Sequence, residues 1–240
     1  MYGWRGKIGH VAPSRGDLLV YEFYRMLRDG FMFLNSTGTI RKLVDTDFEK
    51  QIQRFEDATL DLVSSGADVV IVGGAPVFAK LGFGFHLDLG KKLTEKAGIP
   101  VFAGITAEVE ALKAMGLKKV VVATPYPEES NRRLEKFLTE GGFQVLHTGG
   151  SSIVVTAEIL EQPPHVPYRI AKKLAFENPE ADGVFMPCNR WPVLEHVSLL
   201  EREIGKPVVT AGMAYIWYAL KQIHARVDIS GFGRLMETLR

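Results

Sequence analysis

Ala181-Asp182-Gly183-Val184-Phe185-Met186-Pro187-Cys188-Asn189-Arg190 decides how the chain is read, because a short apolar run leads into the only cysteine among 240 residues. Such a run, stopped by proline and polar residues, describes a buried strand passing into a loop. In parallel α/β sheets ligands gather at the carboxyl ends of the strands, so a thiol there can meet a substrate. A lone cysteine is also an ordinary small core residue. Its environment separates the two readings: a depressed pKa would make Cys188 alkylate quickly near neutral pH.

The rest of the chain has the composition of a soluble α/β protein. With 46% hydrophobic residues, 240 residues suffice for one large α/β domain or two small ones. Twenty-nine basic against 28 acidic side chains leave a formal charge of +1, and no Lys/Arg run stands out. Neither nucleic acid nor an anionic membrane is expected as a partner, since both call for concentrated positive charge. Met1 to Lys7 lacks the apolar core of a signal peptide, and no stretch approaches the length of a membrane span. A cytoplasmic location follows. One cysteine cannot form an internal disulfide or a thiolate-based zinc site, and the six histidines lack metal-ligand spacing, so no metal is expected.

Strands are predicted at 7–13, 67–72, 98–102, 118–123, 143–147, 181–186 and 206–210. Helices alternate with them at 18–28, 46–64, 86–97, 107–115, 128–140, 167–176, 193–203 and 213–224. Thr46 and Glu49 fit a capping box, and Glu128 and Glu129 suit a helix N-terminus. Residues 30–43 read as a short strand or a loop, Gly82-Phe83-Gly84 as a mobile loop over a cleft, and the tail from Asp228 as peripheral.

Three segments recur in order. Residues 7–13 can be laid on 119–125, 67–74 on 181–188, and 98–101 on 205–208, at offsets of 112, 114 and 107 residues. A nearly constant register implies two α/β halves related by a pseudo-twofold axis. The predicted architecture is two Rossmann-like α/β/α halves with parallel sheets and an active site in the cleft between them. Residues 1–115 form the first half, with 211–240 packing back onto it, and residues 116–210 form the second. Gly74 is then the mate of Cys188, so one half offers a thiol and the other only backbone.

Gly66-Ala67 with Val69-Val70 and Gly74, Val122-Ala123-Thr124 with Tyr126, Asn131 and Leu134, Asp182-Gly183 with Cys188, and Gly205 with Pro207-Val208-Val209 carry a resemblance over almost the whole chain. In these residues the chain resembles the aspartate/glutamate racemase superfamily, in its arylmalonate decarboxylase and maleate isomerase branch. Racemases and maleate isomerases of that kind use two cysteines, one on each face of the substrate. The decarboxylases keep only the second, with glycine at the first position, which is the pattern of Gly74 and Cys188.

The resemblance implies a cofactor-independent enzyme acting on a small carboxylate. A malonate would lose carbon dioxide to give an enediolate held by fixed donors, and Cys188 would protonate it from one face. The donors would come from Gly74 and Ala75, the Tyr126 hydroxyl, the N–H of Asn189 and the loop near Ser14, with Arg15 and Arg190 as carboxylate clamps. The sequence departs from the family at Ala75-Pro76, where the decarboxylases carry threonine and serine, and at Asn189-Arg190, where they carry glycines. Thr156 replaces an apolar pocket residue. These changes point to a more polar substrate than an aryl malonate. Two alternatives stay open: maleate cis-trans isomerisation or racemase-type chemistry with Cys188 as nucleophile, and a carboxylate-binding paralogue without catalysis. Assembly into a homo-oligomer is compatible with any of them.

Overall fold

Two parallel sheets form the core of the computed structural model, which describes Tyr2–Leu239. The first half contains β1 (Gly6–Ala12), β2 (Phe31–Thr37), β3 (Val69–Val72) and β4 (Val101–Ala103), with α1 (Asp17–Met26), α2 (Asp45–Ser64), α3 (Ala75–Leu81), α4 (Phe85–Ala97) and α5 (Gly104–Ala114). In the second, β5 (Lys119–Thr124), β6 (Gln144–Gly150), β7 (Gly183–Met186) and β8 (Val208–Thr210) alternate with α6 (Glu128–Glu140), α7 (Thr156–Leu160), α8 (His165–Glu177) and α9 (Val197–Ile204). The chain closes with α10 (Ala211–Gln222) and α11 (Arg234–Glu237).

β3 and β7 are buried along their whole length, as continuous apolar strands covered on both faces should be. The sheet orders are β2-β1-β3-β4 and β6-β5-β7-β8, one order used twice. The repeat holds register by register. Ile8 pairs with Val69 and Val70 with Val101; their mates at the sequence offsets pair in the same way, Val120 with Gly183 and Val184 with Val208. Even the polar anchors repeat, since Asp68 accepts a hydrogen bond from the Lys7 N–H at 2.7 Å and Asp182 from the Lys119 N–H at 2.7 Å.

The halves are joined by α5 and α10, which follow β4 and β8 and make the most extensive helix–helix contact in the molecule. Arg133 of α6 adds an ion pair across the cleft, 2.6 Å from Asp45. α10 also packs on α1, β3 and β8, and α11 lies against α10 and β8.

Several local expectations change. No capping box forms at Thr46: α2 starts at Asp45 behind Val44, with no side-chain cap. Asp47 instead accepts the N–H groups of Arg41 and Lys42, which secures the loop entering the helix. A helix, α3, begins directly after Gly74, with Pro76 in its first turn, where its fixed φ and missing N–H are tolerated. Residues 193–203 divide into a 3-10 turn, Leu194–His196, and α9. The tail is not peripheral, because Val227, Ile229, Leu235, Met236 and Leu239 are buried and Glu201 accepts the Arg234 N–H at 2.9 Å.

Candidate active site

The ends of β1, β3, β5 and β7 meet at a cavity lined from both halves, by Pro13, Ser14, Gly74, Ala75, Tyr126, Cys188, Arg190 and Tyr215 among others. Its interior volume is about 40 Å³. That interior has room for a few waters. Roomier surface hollows lie between α1 and the C-terminal segment and beside α4, away from Cys188.

Cys188 sits two residues beyond β7 and is only 7% exposed. Burial pushes its thiol pKa up to about 11, against the partial opposition of the Arg190 N–H and the Tyr126 hydroxyl. The depressed pKa of a thiolate nucleophile is therefore absent, and near neutral pH the sulfur keeps its proton. Across the cavity Gly74 adopts φ 117° and ψ 66°, a conformation that costs an L residue about 1–2 kcal/mol.

Tyr126 is buried, and its hydroxyl donates to the Pro187 carbonyl at 2.6 Å. The phenol expected to hold a substrate anion thus pins the loop that presents Cys188. Its own turn is fixed by Thr124 and Asn131, whose side chains are 2.6 Å apart and bond to the Tyr126 backbone.

Arg190 is 6% exposed rather than turned to solvent. One terminal nitrogen donates to Ser14 Oγ at 3.2 Å and to the Arg15 carbonyl at 2.8 Å, while Nε has no partner. Among the described residues it makes no ion pair with a carboxylate. Burial without a counter-ion lowers its pKa and makes an anion in the cavity its natural partner. The other candidate clamp is placed differently: the side chain of Arg15 is 70% exposed and bonds Asp17 at 2.6 Å. The backbone N–H facing the thiol belongs to Arg190 and not to Asn189.

Thr156 is buried, yet its hydroxyl donates to the carbonyls of Ile40 and Arg41 at 3.1 and 3.2 Å. The polarity expected from it is committed to the backbone. Together with the Lys42–Val155 bridge and the Leu43 N–H to Val154 carbonyl bond, it fastens residues 38–44 over the cavity. The cover predicted at Gly82-Phe83-Gly84 lies elsewhere, since Phe83 packs on His86 and Phe137.

Ile40, Leu43, Phe48, Val77, Ile159 and Tyr215 of the lining escaped the sequence reading. The apolar ones carry no motif. Tyr215 carried a usable signal, because the offset of 107 residues places it opposite Glu108 in the repeat. Both are buried, and Glu108 faces the Tyr215 hydroxyl across the α5–α10 contact.

Comparison with known proteins agrees with this fold. The sequence profile of the arylmalonate decarboxylase family matches residues 8–236. The arylmalonate decarboxylase of Bordetella bronchiseptica is 28% identical over 235 residues, covering 96% of each chain. The maleate isomerase of Nocardia farcinica is also 28% identical, over 239 residues, covering 96% of this chain and 95% of its own. Among solved structures, a double mutant of arylmalonate decarboxylase in liganded form, with one glycine changed to cysteine and one cysteine to serine, shares the fold at a TM-score of 0.92 and 23% identity. It covers 97% of this chain and 99% of its own. A Nocardia farcinica maleate cis-trans isomerase carrying a covalently bound succinylcysteine intermediate follows at 0.89 and 22% identity, covering 97% and 98%. With the profile spanning nearly all of both halves and the cleft between them, the chain belongs to the arylmalonate decarboxylase family, an enzyme family whose relatives include maleate cis-trans isomerases.

Proposed function

We propose that this enzyme is a cofactor-independent decarboxylase of a substituted malonate, with Cys188 as its single proton donor. One observation carries the reading: the cavity presents a protonated thiol from one half and the bare backbone of Gly74 from the other. Two-base chemistry requires an acid on both faces, and nucleophilic addition to a double bond requires a thiolate. A buried neutral thiol suits delivery of one proton to one face.

The remaining walls fit the first step. One carboxylate pairs with the Arg190 guanidinium. The other lies against Ile40, Leu43, Phe48, Val77 and Ile159, where its charge is poorly solvated and departure as carbon dioxide removes it. The bond from the α-carbon to that carboxylate breaks, and its electron pair stays behind as the enediolate of the remaining carboxylate. The α-carbon then forms a bond to the Cys188 proton, and the thiolate left behind recovers a proton from water. Arg190 as the fixed cation favours a substrate that keeps one carboxylate throughout.

The test is incubation in deuterated water with phenylmalonate, methylmalonate and maleate. Carbon dioxide release with one deuterium at the α-carbon is expected. Fumarate from maleate without carbon dioxide would transfer the assignment to the isomerases, and tight binding without turnover would make the chain a carboxylate-binding protein. A Cys188→Ala variant that retains full turnover would show that the proton comes from elsewhere.

A further inference from the structure

The family resemblance leaves a gap on the Gly74 side, where Ala75 and Pro76 carry no hydroxyl. The structure places another hydroxyl there. Tyr215, on α10, is 1% exposed and lines the cavity with Gly74 and Cys188. Its phenol lies directly on the first turn of α5: a methyl group added at Gly104 would collide with both the ring and the hydroxyl. One turn further along the same helix face is Glu108, fully buried, with neither carboxyl oxygen in a hydrogen bond.

Several groups surround the Tyr215 oxygen. Glu108 faces it from α5 and the Gly74 N–H from the loop after β3, with Cys188 nearby across the cavity. The His10 ring of β1 lies 6.0 Å from the phenol ring and stays neutral, with its pKa lowered to about 4 by burial. Burial raises the Glu108 pKa well above its ordinary value, which favours the protonated carboxyl, a form that can donate to the phenol. A phenol oxygen has two lone pairs. If the Gly74 N–H and the Glu108 O–H approach these lone pairs, the phenol's own proton is left to point into the cavity.

We propose that Tyr215, seated on Gly104 and oriented by Glu108, donates its hydroxyl hydrogen bond to the substrate carboxylate and its enediolate on the Gly74 side of the pocket. Tyr215 is then a catalytic residue and Glu108 a positioning residue. The proposal rests on the carboxylate-site reading above, but it holds whether the bound anion decarboxylates or isomerises. It also explains how a pocket with Ala75-Pro76 can still hold an anion.

The test uses the full chain and two readouts, turnover of phenylmalonate and calorimetric binding of oxalate as a planar, unreactive dianion. Loss of an anion-hole donor costs about 100- to 1000-fold in kcat. Tyr215→Phe should show a drop of that order, weaken oxalate roughly tenfold or more, and keep the wild-type melting temperature. Glu108→Gln, whose amide can still donate to the phenol, should retain most of both activities. Glu108→Leu, which cannot, should approach Tyr215→Phe, and Gly104→Ala should do the same by displacing the ring. A purely structural role for Glu108 would not distinguish Gln from Leu in kcat at equal melting temperature.

Wild-type turnover and oxalate affinity in Tyr215→Phe would overturn the proposal while leaving the decarboxylase reading intact. Conversely, oxalate binding that needs Tyr215 in a protein releasing no carbon dioxide would support the proposal and remove the decarboxylase. A wild-type protein that neither binds oxalate nor turns over phenylmalonate would overturn both.

Discussion

The two halves share one framework and differ where they meet. Strand order, pairing register and the aspartates that tie neighbouring strand starts repeat from one half to the other. At the cleft the mates diverge in chemistry: Gly74 faces Cys188, Ser14 corresponds to Tyr126, and Glu108 corresponds to Tyr215. Symmetry in the sheets supplies a two-walled cavity. Asymmetry in the loops decides which wall delivers a proton, and the two can be perturbed separately.

The largest difference should appear between Cys188 and its mate. Cys188→Ala removes the proton donor and is expected to reduce kcat by about 100- to 10,000-fold with little change in melting temperature. Gly74→Ala should do the reverse. Its positive φ and the proximity of a new Cβ to Val77 and Pro13, at 3.3 and 3.4 Å, predict a stability loss of about 1–2 kcal/mol and a smaller effect on kcat. Equal kinetic damage from both would mean that the cleft works as a symmetric pair.

Two arginines offered by one cleft divide in the same manner. Arg190→Gln takes away the only buried guanidinium facing the cavity among the described residues, and KM for a malonate should rise about 10- to 100-fold. Arg15→Gln removes an exposed side chain already paired with Asp17 and should change KM by roughly twofold or less. If the two variants had equal KM, the substrate carboxylate would be held at the rim.

What could be read in the sequence follows the same division between framework and site. The buried strands Val69–Val72 and Gly183–Met186 are runs of apolar residues whose spacing alone gives their period and their repeat, and the mating of Gly74 with Cys188 came with the register. Side-chain direction did not. Tyr126 and Thr156 lie at the cleft as expected, but their hydroxyls serve the backbone of Pro187, Ile40 and Arg41. Nothing in the residue types distinguishes a hydroxyl aimed at a ligand from one aimed at a carbonyl. Cys188 shows the same limit, because the sign of its pKa shift depends on how deeply the loop is covered. The loop at 38–44 that covers it has no periodic signal.

A third comparison concerns stability. Glu22 of α1 is buried against α10 where the same offset in α6 puts Leu134, a buried hydrophobe. Burial raises the Glu22 pKa to about 8. The unfolded chain ionises this group near 4.5 while the folded chain keeps it neutral, so its contribution to stability is full below pH 4.5 and is lost as pH rises toward 8. The slope is about 1.4 kcal/mol per pH unit. Glu22→Gln has no such slope, so the variant's stability relative to wild type should increase from pH 7 to pH 8 in denaturant titrations. In that window His10, with its pKa lowered to about 4, stays neutral in the fold, and Glu108 acts alike in both proteins. A constant difference across the window would place the Glu22 carboxylate in contact with water.

The smallest effect tests the symmetry itself. Asp68 accepts one backbone N–H, from Lys7 at 2.7 Å, whereas Asp182 accepts two, from Lys118 at 2.9 Å and Lys119 at 2.7 Å. The pKa of Asp182 is lowered by those two N–H groups first of all. Both carboxylates are exposed, so each bond contributes about 1 kcal/mol or less. Asp68→Ala and Asp182→Ala should therefore both destabilise the fold slightly, with the larger loss at Asp182. The Asp182 contribution should disappear as pH falls through its lowered pKa, because its carboxylate is then protonated in both states. Equal losses from the two variants would mean that the second bond, present in only one half, contributes nothing. A larger loss at Asp68 would mean that the first half, which carries Gly74, depends more on its strand anchor than the half that carries the thiol.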